Sequence, residues 1–277
     1  MMPSVSVIIP AYDARETISW AVSSVLLQAD VDIEVLLISD DHLDYRPVLQ
    51  RAGVDDPRVR QLMTATPGSG PGQARTLGLD RAKGRFIATL DADDQYAPDR
   101  LAPLVALAAE HGAALDNTAM IAEDGTLLRT AWPVDTGHKP ATADTILRPR
   151  LPFAPVFHRD LGGNGWPDLP FAEDVMFNLG LLDRAPSMQI SLEPGYRYNH
   201  RSGSLSHSPD TPQRAEQAYL AILEALEHKT IPLAEEIAEA ALRQFSEDLR
   251  SNATFADRLA SGQCRDLSDF LMTAQRA

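Results

Sequence analysis

The chain has a single cysteine, Cys264, so no intrachain disulfide can form, and the expectation is a reducing compartment with an inert thiol. Long hydrophobic runs are missing too. The longest, near Leu101 to Ala109, is far too short to span a bilayer. The opening Met1-Met2-Pro3-Ser4-Val5 has no basic segment followed by an apolar core, so no leader is read there and a cytoplasmic protein without a transmembrane segment is expected. Positive charge is scarce. Lys plus Arg number 25 against 39 Asp plus Glu, a net charge of -14, which argues against nonspecific binding to nucleic acid or to an anionic membrane. There is no internal repeat and no low-complexity tail. What remains is a chain of 277 residues, 44% hydrophobic, able to bury a full core as one large domain with an appendage or as two small ones.

Val5 to Ile9 is a continuous apolar run closed by Pro10, the pattern of a strand buried on both faces. Trp20, Ala21, Ser24, Val25 and Gln28 follow at helical spacing, then Ile33 to Ile38 reads as a second strand ending in Ser39-Asp40-Asp41. A third strand is expected at Arg58 to Met63, a glycine-rich turn at Gly68 to Gly72, a helix from about Gln73 to Ala82, and a fourth strand at Phe86 to Leu90. Strands alternating with helices imply an α/β fold with a mostly parallel sheet and right-handed crossovers. Ligands collect at the carboxyl ends of such strands. Here those ends carry Pro10-Ala11-Tyr12-Asp13, Asp40-Asp41 and Asp91-Ala92-Asp93-Asp94, so a binding cleft on that edge is expected.

Asp91 and Asp93 leave one face of an extended segment, and two hard oxygen ligands there suit Mg²⁺ or Mn²⁺ completed by water and substrate phosphates; a polar turn is the plain alternative. Gly68 to Gly72 is followed by no Gly-Lys-Ser/Thr and does not give G-x-G-x-x-G, which disfavours a P-loop or dinucleotide fold. A calcium loop starting at Asp91 would need Gly where Tyr96 stands. Asp91-Ala92-Asp93 also resembles the nucleophile motif of haloacid-dehalogenase phosphatases, in which Asp91 would accept the phosphoryl group. Gln95 departs from the Thr or Val of that motif, and the motif comes late in the chain.

Past Pro98 a helix over Leu101 to Glu110 leads to a strand at Ala119-Met120-Ile121, with a hairpin turn at Asp124-Gly125. From Pro133 to Pro170 periodicity fades into a proline-rich irregular region carrying Gly162-Gly163-Asn164-Gly165, the kind of loop that shapes function. Glu173 and Asp174 precede a helix expected over Val175 to Leu182, where the helix dipole alone would favour acids. Two further apolar stripes, Ala215 to Leu226 and Leu233 to Leu249, form a helical appendage beginning near Pro212. They are expected to pack on the catalytic domain or on a second subunit, the latter giving a homodimer.

Val5 to Tyr12, the pair Asp40-Asp41, Gly72-Gln73-Ala74-Arg75-Thr76-Leu77-Gly78 through Gly84-Arg85-Phe86-Ile87, and Leu90 to Asp94 together resemble the inverting glycosyltransferases of family two, which have the GT-A fold. The resemblance covers about residues 4 to 110 and resumes at Glu173-Asp174 and at Tyr198-Asn199-His200-Arg201-Ser202-Gly203-Ser204. It implies a GT-A catalytic domain over 1–211, with a nucleotide-binding half to about 110 and an acceptor half beyond, and a C-terminal helical region over 212–277. Asp13 and Thr76 stand where Asn is usual in that family, and His42-Leu43 follow Asp41 in place of Gly-Ser, so the contacts to base and ribose are those in question.

By the same resemblance Asp93 holds the metal, Asp91 the ribose, and Pro10, Tyr12 and Asp40 surround the base, with Ala11, Asp13 and Ala92 in the same segments. Arg75 supplies the cation near the diphosphate. Taken singly, Tyr12 and Arg75 would read as packing and surface solvation. Asp174, beside Glu173, maps to the base that takes the acceptor proton, and this reading is favoured over capping because a cap needs no acid at both positions. His200 resembles a third metal ligand of some relatives, with a hydrogen-bonded core histidine as the alternative. Trp166 is a candidate to stack on an acceptor sugar or an ordinary packed aromatic. The implied reaction moves a sugar from a nucleoside-diphosphate donor, a UDP-sugar, to a glycan, lipid-linked or small acceptor. A catalytically silent member that binds nucleotide or glycan is the alternative from a different class.

Overall fold

The computed structural model describes residues 4–201, 208 and 210–274. Ser202-Gly203-Ser204 of the resemblance lie outside the described residues. The elements in order are β1 (Val5–Ala11), α1 (Ile18–Leu26), β2 (Ile33–Ser39), α2 (Arg46–Arg51), β3 (Val59–Met63), α3 (Pro71–Arg81), β4 (Phe86–Thr89), β5 (Gln95–Tyr96), α4 (Leu101–His111), β6 (Gly112–Ile121) and β7 (Leu127–Thr130). Then come β8 (His138–Pro140), α5 (Ala143–Leu147), β9 (Val156–His158), α6 (Glu173–Arg184), β10 (Ser187–Asn199), α7 (Thr211–Glu227), α8 (Glu235–Ala260) and α9 (Leu267–Ala274). No helix among the described residues is long and apolar enough to cross a membrane.

The strands form one sheet in the order β3-β2-β1-β4-β9-β6-β10-β5, with β7 paired to β6 and β8 to β10. β1, β2, β3 and β4 run parallel, as do β6 and β10. Val7, Ile8, Ile9 and Leu36, Leu37, Ile38 are fully buried, which is why their sequences are continuous apolar runs and not alternations. The sheet is thus mostly parallel, as the strand-helix alternation implies.

Four strands, β5, β8, β9 and β10, depart from the sequence reading. β9 lies inside the segment expected to be irregular, and it enters the sheet antiparallel between β4 and β6. Its three residues are too few to show a period, yet Val156 and Phe157 are fully buried. β10 runs for 13 residues, most of them unread from sequence, because Pro194 and Gly195 interrupt its pattern. The pairing with β6 shifts register at those residues, a bulge. Gly195 is required there: a Cβ would stand 2.2 Å from Asp116 Oδ2.

The bulge makes room for a buried ion pair. Arg100, at the start of α4, donates through Nε and Nη2 to Asp116 on β6 at 2.8 and 2.7 Å, and through Nη2 to the Ala154 carbonyl at 2.6 Å. Its guanidinium carbon lies 4.2 Å from the Tyr96 ring centroid and 5.6 Å from that of Tyr196. The bidentate geometry and both aromatic contacts are interactions that suit Arg and not Lys.

Contacts divide the chain into two compact units, residues 1–168 with 174–199, and residues 169–173 with 200–277. Within the second unit, α7 and α8 bury Ala215, Ala218, Ile222, Ala241 and Phe245 along their apolar stripes, and Asn252 donates to the Pro212 carbonyl at 2.8 Å.

Candidate active site

The carboxyl ends of β1, β2 and β4 converge. β4 stops at Thr89, and the chain then turns through Asp91, Ala92, Asp93 and Asp94 before β5. Asp94 is buried; Tyr196 donates its hydroxyl to Asp94 Oδ2 at 2.7 Å and Asn199 donates its backbone N–H to Oδ1 at 2.8 Å. The Tyr196 hydroxyl also accepts from the Asp91 backbone N–H at 3.3 Å, and Asn199 Nδ2 donates to the Asp93 carbonyl at 2.7 Å. β10 therefore clamps the acidic turn from behind. Burial, followed by the nearby charges of Asp93 and Asp91, pushes the Asp94 carboxyl well above the usual range.

Arg75, buried on the second turn of α3, donates to Asp91 Oδ1 at 2.5 Å. Helix α3 is aimed by the loop before it: Asp40, at the end of β2, accepts from the backbone N–H of Ser69 at 3.0 Å, from that of Gly70 at 2.8 Å and from the Thr64 hydroxyl at 2.7 Å. A carboxylate has about four acceptor positions, so three of those on Asp40 organise the glycine-rich turn and one remains for a ligand.

Asp41 acts on the other side. It accepts from the backbone N–H of Asp13 at 2.9 Å, from that of Leu43 at 3.0 Å, from Ser39 Oγ at 3.0 Å and from the Tyr45 hydroxyl at 2.8 Å. Burial alone would raise its pKa; the hydrogen bonds outweigh it and hold the carboxyl low. Asp13, at φ 49°, is thereby fixed in the left-handed region, and Tyr12 projects with 64% exposure. Pro10 and Ala11 are the last residues of β1. Tyr45, fully buried, also accepts from the Ala14 backbone N–H at 3.0 Å, a role the sequence reading missed. Tyr45→Phe leaves the Ala14 N–H and part of Asp41 without their partner. It is expected to cost about 1–3 kcal/mol in denaturant unfolding; a change below about 0.5 kcal/mol would show that the loop does not depend on it.

Arg75, Asp91, Trp166, Asp174, Asn178 and Tyr196 line one pocket. It holds about 20 Å³, room for a water molecule. Trp166 is buried with its ring stacked on Phe177, centroids 3.8 Å apart. Asp174 is half-buried on the first turn of α6, while Glu173 is buried and belongs to the second unit. His200 also lies in that unit, with Nε2 3.9 Å from Asp266 Oδ2. The first unit therefore brings Arg75, Asp91 and Asp174 together, with Ala92 and Asp93 on the same turn as Asp91. Among the described residues no three His, Cys, Asp or Glu side chains are grouped to hold a metal ion.

The sequence model described as "Glycosyl transferase family 2" matches residues 6–159, which include Asp40, Arg75 and the whole acidic turn. The chain belongs to this family. Membership in this family leaves no place for the phosphatase alternative. The succinoglycan biosynthesis protein ExoO of Rhizobium meliloti is 32% identical over 221 residues, covering 74% of this chain and 63% of that protein. The Escherichia coli protein named UDP-Glc:alpha-D-GlcNAc-diphosphoundecaprenol beta-1,3-glucosyltransferase WfgD is 40% identical over 99 residues, 35% of this chain and 38% of that one. The family 2 chain spans 63% and 51% of the lengths of ExoO and of the Bacillus subtilis putative teichuronic acid glycosyltransferase TuaG. Among solved structures, S. aureus TarS 1-349 in complex with UDP-GlcNAc superimposes with a TM-score of 0.65 at 21% identity, over 87% of this chain and 71% of that one. That likeness shows the GT-A fold.

Proposed function

We propose that this family 2 member is a metal-dependent inverting glycosyltransferase that takes its sugar from a UDP-sugar and passes it to a glycan or lipid-linked acceptor. The observation that carries the reading is the pocket lined by Arg75, Asp91 and Asp174 at the carboxyl end of β4. The printed names and titles of relatives, with UDP-Glc and a diphosphoundecaprenol acceptor in one and UDP-GlcNAc in another, support the donor and acceptor classes.

A divalent ion fits the acidic turn. Asp91 and Asp93 offer hard oxygens two residues apart on the turn between β4 and β5. Mn²⁺ or Mg²⁺ would be held by Asp93 and when bound would neutralise charge developing on the leaving diphosphate.

The remaining work falls to the chain. Tyr12 and the free lone pair of Asp40 face the base, and Arg75, anchored by Asp91, places a fixed positive charge by the diphosphate. Asp174 takes the proton of the acceptor hydroxyl as its oxygen bonds to the anomeric carbon. The bond from that carbon to the β-phosphate oxygen breaks in the same displacement, its electron pair leaving with UDP.

Melting curves with UDP, with and without Mn²⁺, test the reading, since a ligand of the native state raises its melting temperature. UDP with Mn²⁺ is expected to stabilise the wild type, and Asp93→Asn to lose the Mn²⁺-dependent part while still folding. No shift with UDP would reject the donor assignment, and an unchanged Mn²⁺ response in Asp93→Asn would remove that residue from the site. A UDP shift without any transfer would favour the silent alternative.

A further inference from the structure

The opposite end of the sheet carries a second feature. Where β4 begins and β9 ends, Lys83, Arg85, Phe86, His158, Arg159 and Asp160 line a cleft of about 500 Å³. From Phe86 to Asp91 the chain rises about 16 Å, so this cleft is separate from the acidic turn.

In a chain of net charge -14, three cations gather here. Their arrangement is constrained by the backbone. β4 and β9 pair antiparallel with Phe86 opposite His158, and the Arg159 N–H donates to the Arg85 carbonyl at 2.9 Å. Arg85 and Arg159, next after the last register pair and joined by that backbone bond, set two like charges on the lining of the same cleft. Lys83 lines the same cleft and adds a third positive charge. The intervening Gly84 is pressed on β1: its N–H donates to Ser6 Oγ at 2.8 Å, and a Cβ would stand 2.4 Å from the Ser6 backbone nitrogen. The cations are thus mounted on a fixed frame and not on a free loop.

Little within the protein compensates for them. Among the described residues no carboxylate pairs with Lys83, Arg85 or Arg159; Asp160 is 3.6 Å from His158 Nδ1, and Arg159 Nη1 donates to the Ala82 carbonyl at 3.1 Å. The like-charge cost is relieved if an anion bridges the two guanidinium groups, whose planar forks match phosphoryl oxygens. A long polyanion would meet the negative field of the rest of the molecule, whereas a short one meets the local cations within a Debye length of about 8–10 Å.

We propose that this cleft is a binding site for a small phosphoryl anion of the phosphate or diphosphate class. The test is titration calorimetry of the full chain with inorganic diphosphate, at fixed ionic strength and with EDTA present. One saturable event is expected, weakened at least 10-fold in the double variant Arg85→Gln/Arg159→Gln and not displaced by UDP. Both arginines are exposed, so the variant is expected to fold with a melting temperature at or above the wild-type value, the like-charge repulsion having been removed. Phosphatidylcholine vesicles doped with phosphatidate distinguish the source. Co-sedimentation of the wild type but not the double variant assigns the anion to a lipid headgroup, and diphosphate binding without co-sedimentation assigns it to a soluble ligand. Undiminished diphosphate binding in the double variant, displacement by UDP, or binding of neither probe overturns the proposal. Because the UDP and Mn²⁺ melting shift does not involve these arginines, its failure would be read separately.

Discussion

Asp174→Asn is expected to lower sugar transfer by at least about 10² while leaving donor affinity near the wild-type value. The substitution keeps the size and most hydrogen bonding of the side chain but removes its ability to accept a proton. Asp174 lines the pocket together with Arg75 and Asp91, and Glu173 is not among its lining residues. Glu173→Gln is accordingly expected to cost less. The competing explanation is that Asp174 caps α6. Asn is itself a good cap, so capping predicts that Asp174→Asn retains both melting temperature and turnover. A variant with full transfer activity would end the catalytic assignment; one with normal stability, normal UDP affinity and lost transfer would support it.

The second large effect is on stability. Removing the Asp116 carboxylate by Asp116→Ala leaves the Arg100 guanidinium, whose side chain is fully buried, without its bidentate partner. Breaking a buried pair in this way costs about 3–5 kcal/mol. Against a typical total of about 5–15 kcal/mol, that is enough to unfold a sizeable fraction of molecules at physiological temperature. Asp116→Asn retains the shape and one acceptor and is expected to cost less. Chemical denaturation of the three proteins checks the order. A loss below about 1 kcal/mol in Asp116→Ala would mean that water reaches the guanidinium and the pair is not the keystone of this region. Because Arg100 also lies over the Tyr196 ring, and Tyr196 holds Asp94, the variant that folds is expected to bind UDP less well.

What could be read from sequence follows from the range of the interactions. β1, β2 and β4 are buried on both faces, so local runs such as Val7-Ile8-Ile9 and Leu36-Leu37-Ile38 carry their own signal, and the acids at their ends mark the edge proposed for the ligand. Tyr196 and Asp94 are 102 residues apart, and Arg100 and Asp116 meet only once β6 is in the sheet, so no spacing rule reaches them. Pro194 and Gly195 read as breakers because their purpose, a bulge around Asp116, exists only in three dimensions. Trp166 was equally readable as a sugar platform or a packed aromatic, and its stacking on Phe177 could not be anticipated from the loop around it.

The antiparallel β9 between β4 and β6 has a consequence for how the chain is made. Residues up to about 110 contain β1 to β5 and look like a self-sufficient nucleotide-binding half, yet β4 stays an open edge until residues 156–158 arrive to cover it. β5, from that same half, finds its partner only in β10. As the polypeptide leaves the ribosome, β4 therefore presents unpaired backbone for the time needed to add about 70 more residues, several seconds at roughly 5–20 residues per second. A nascent chain stalled before residue 156 should be sticky and protease-sensitive, and one stalled well after β10 should not.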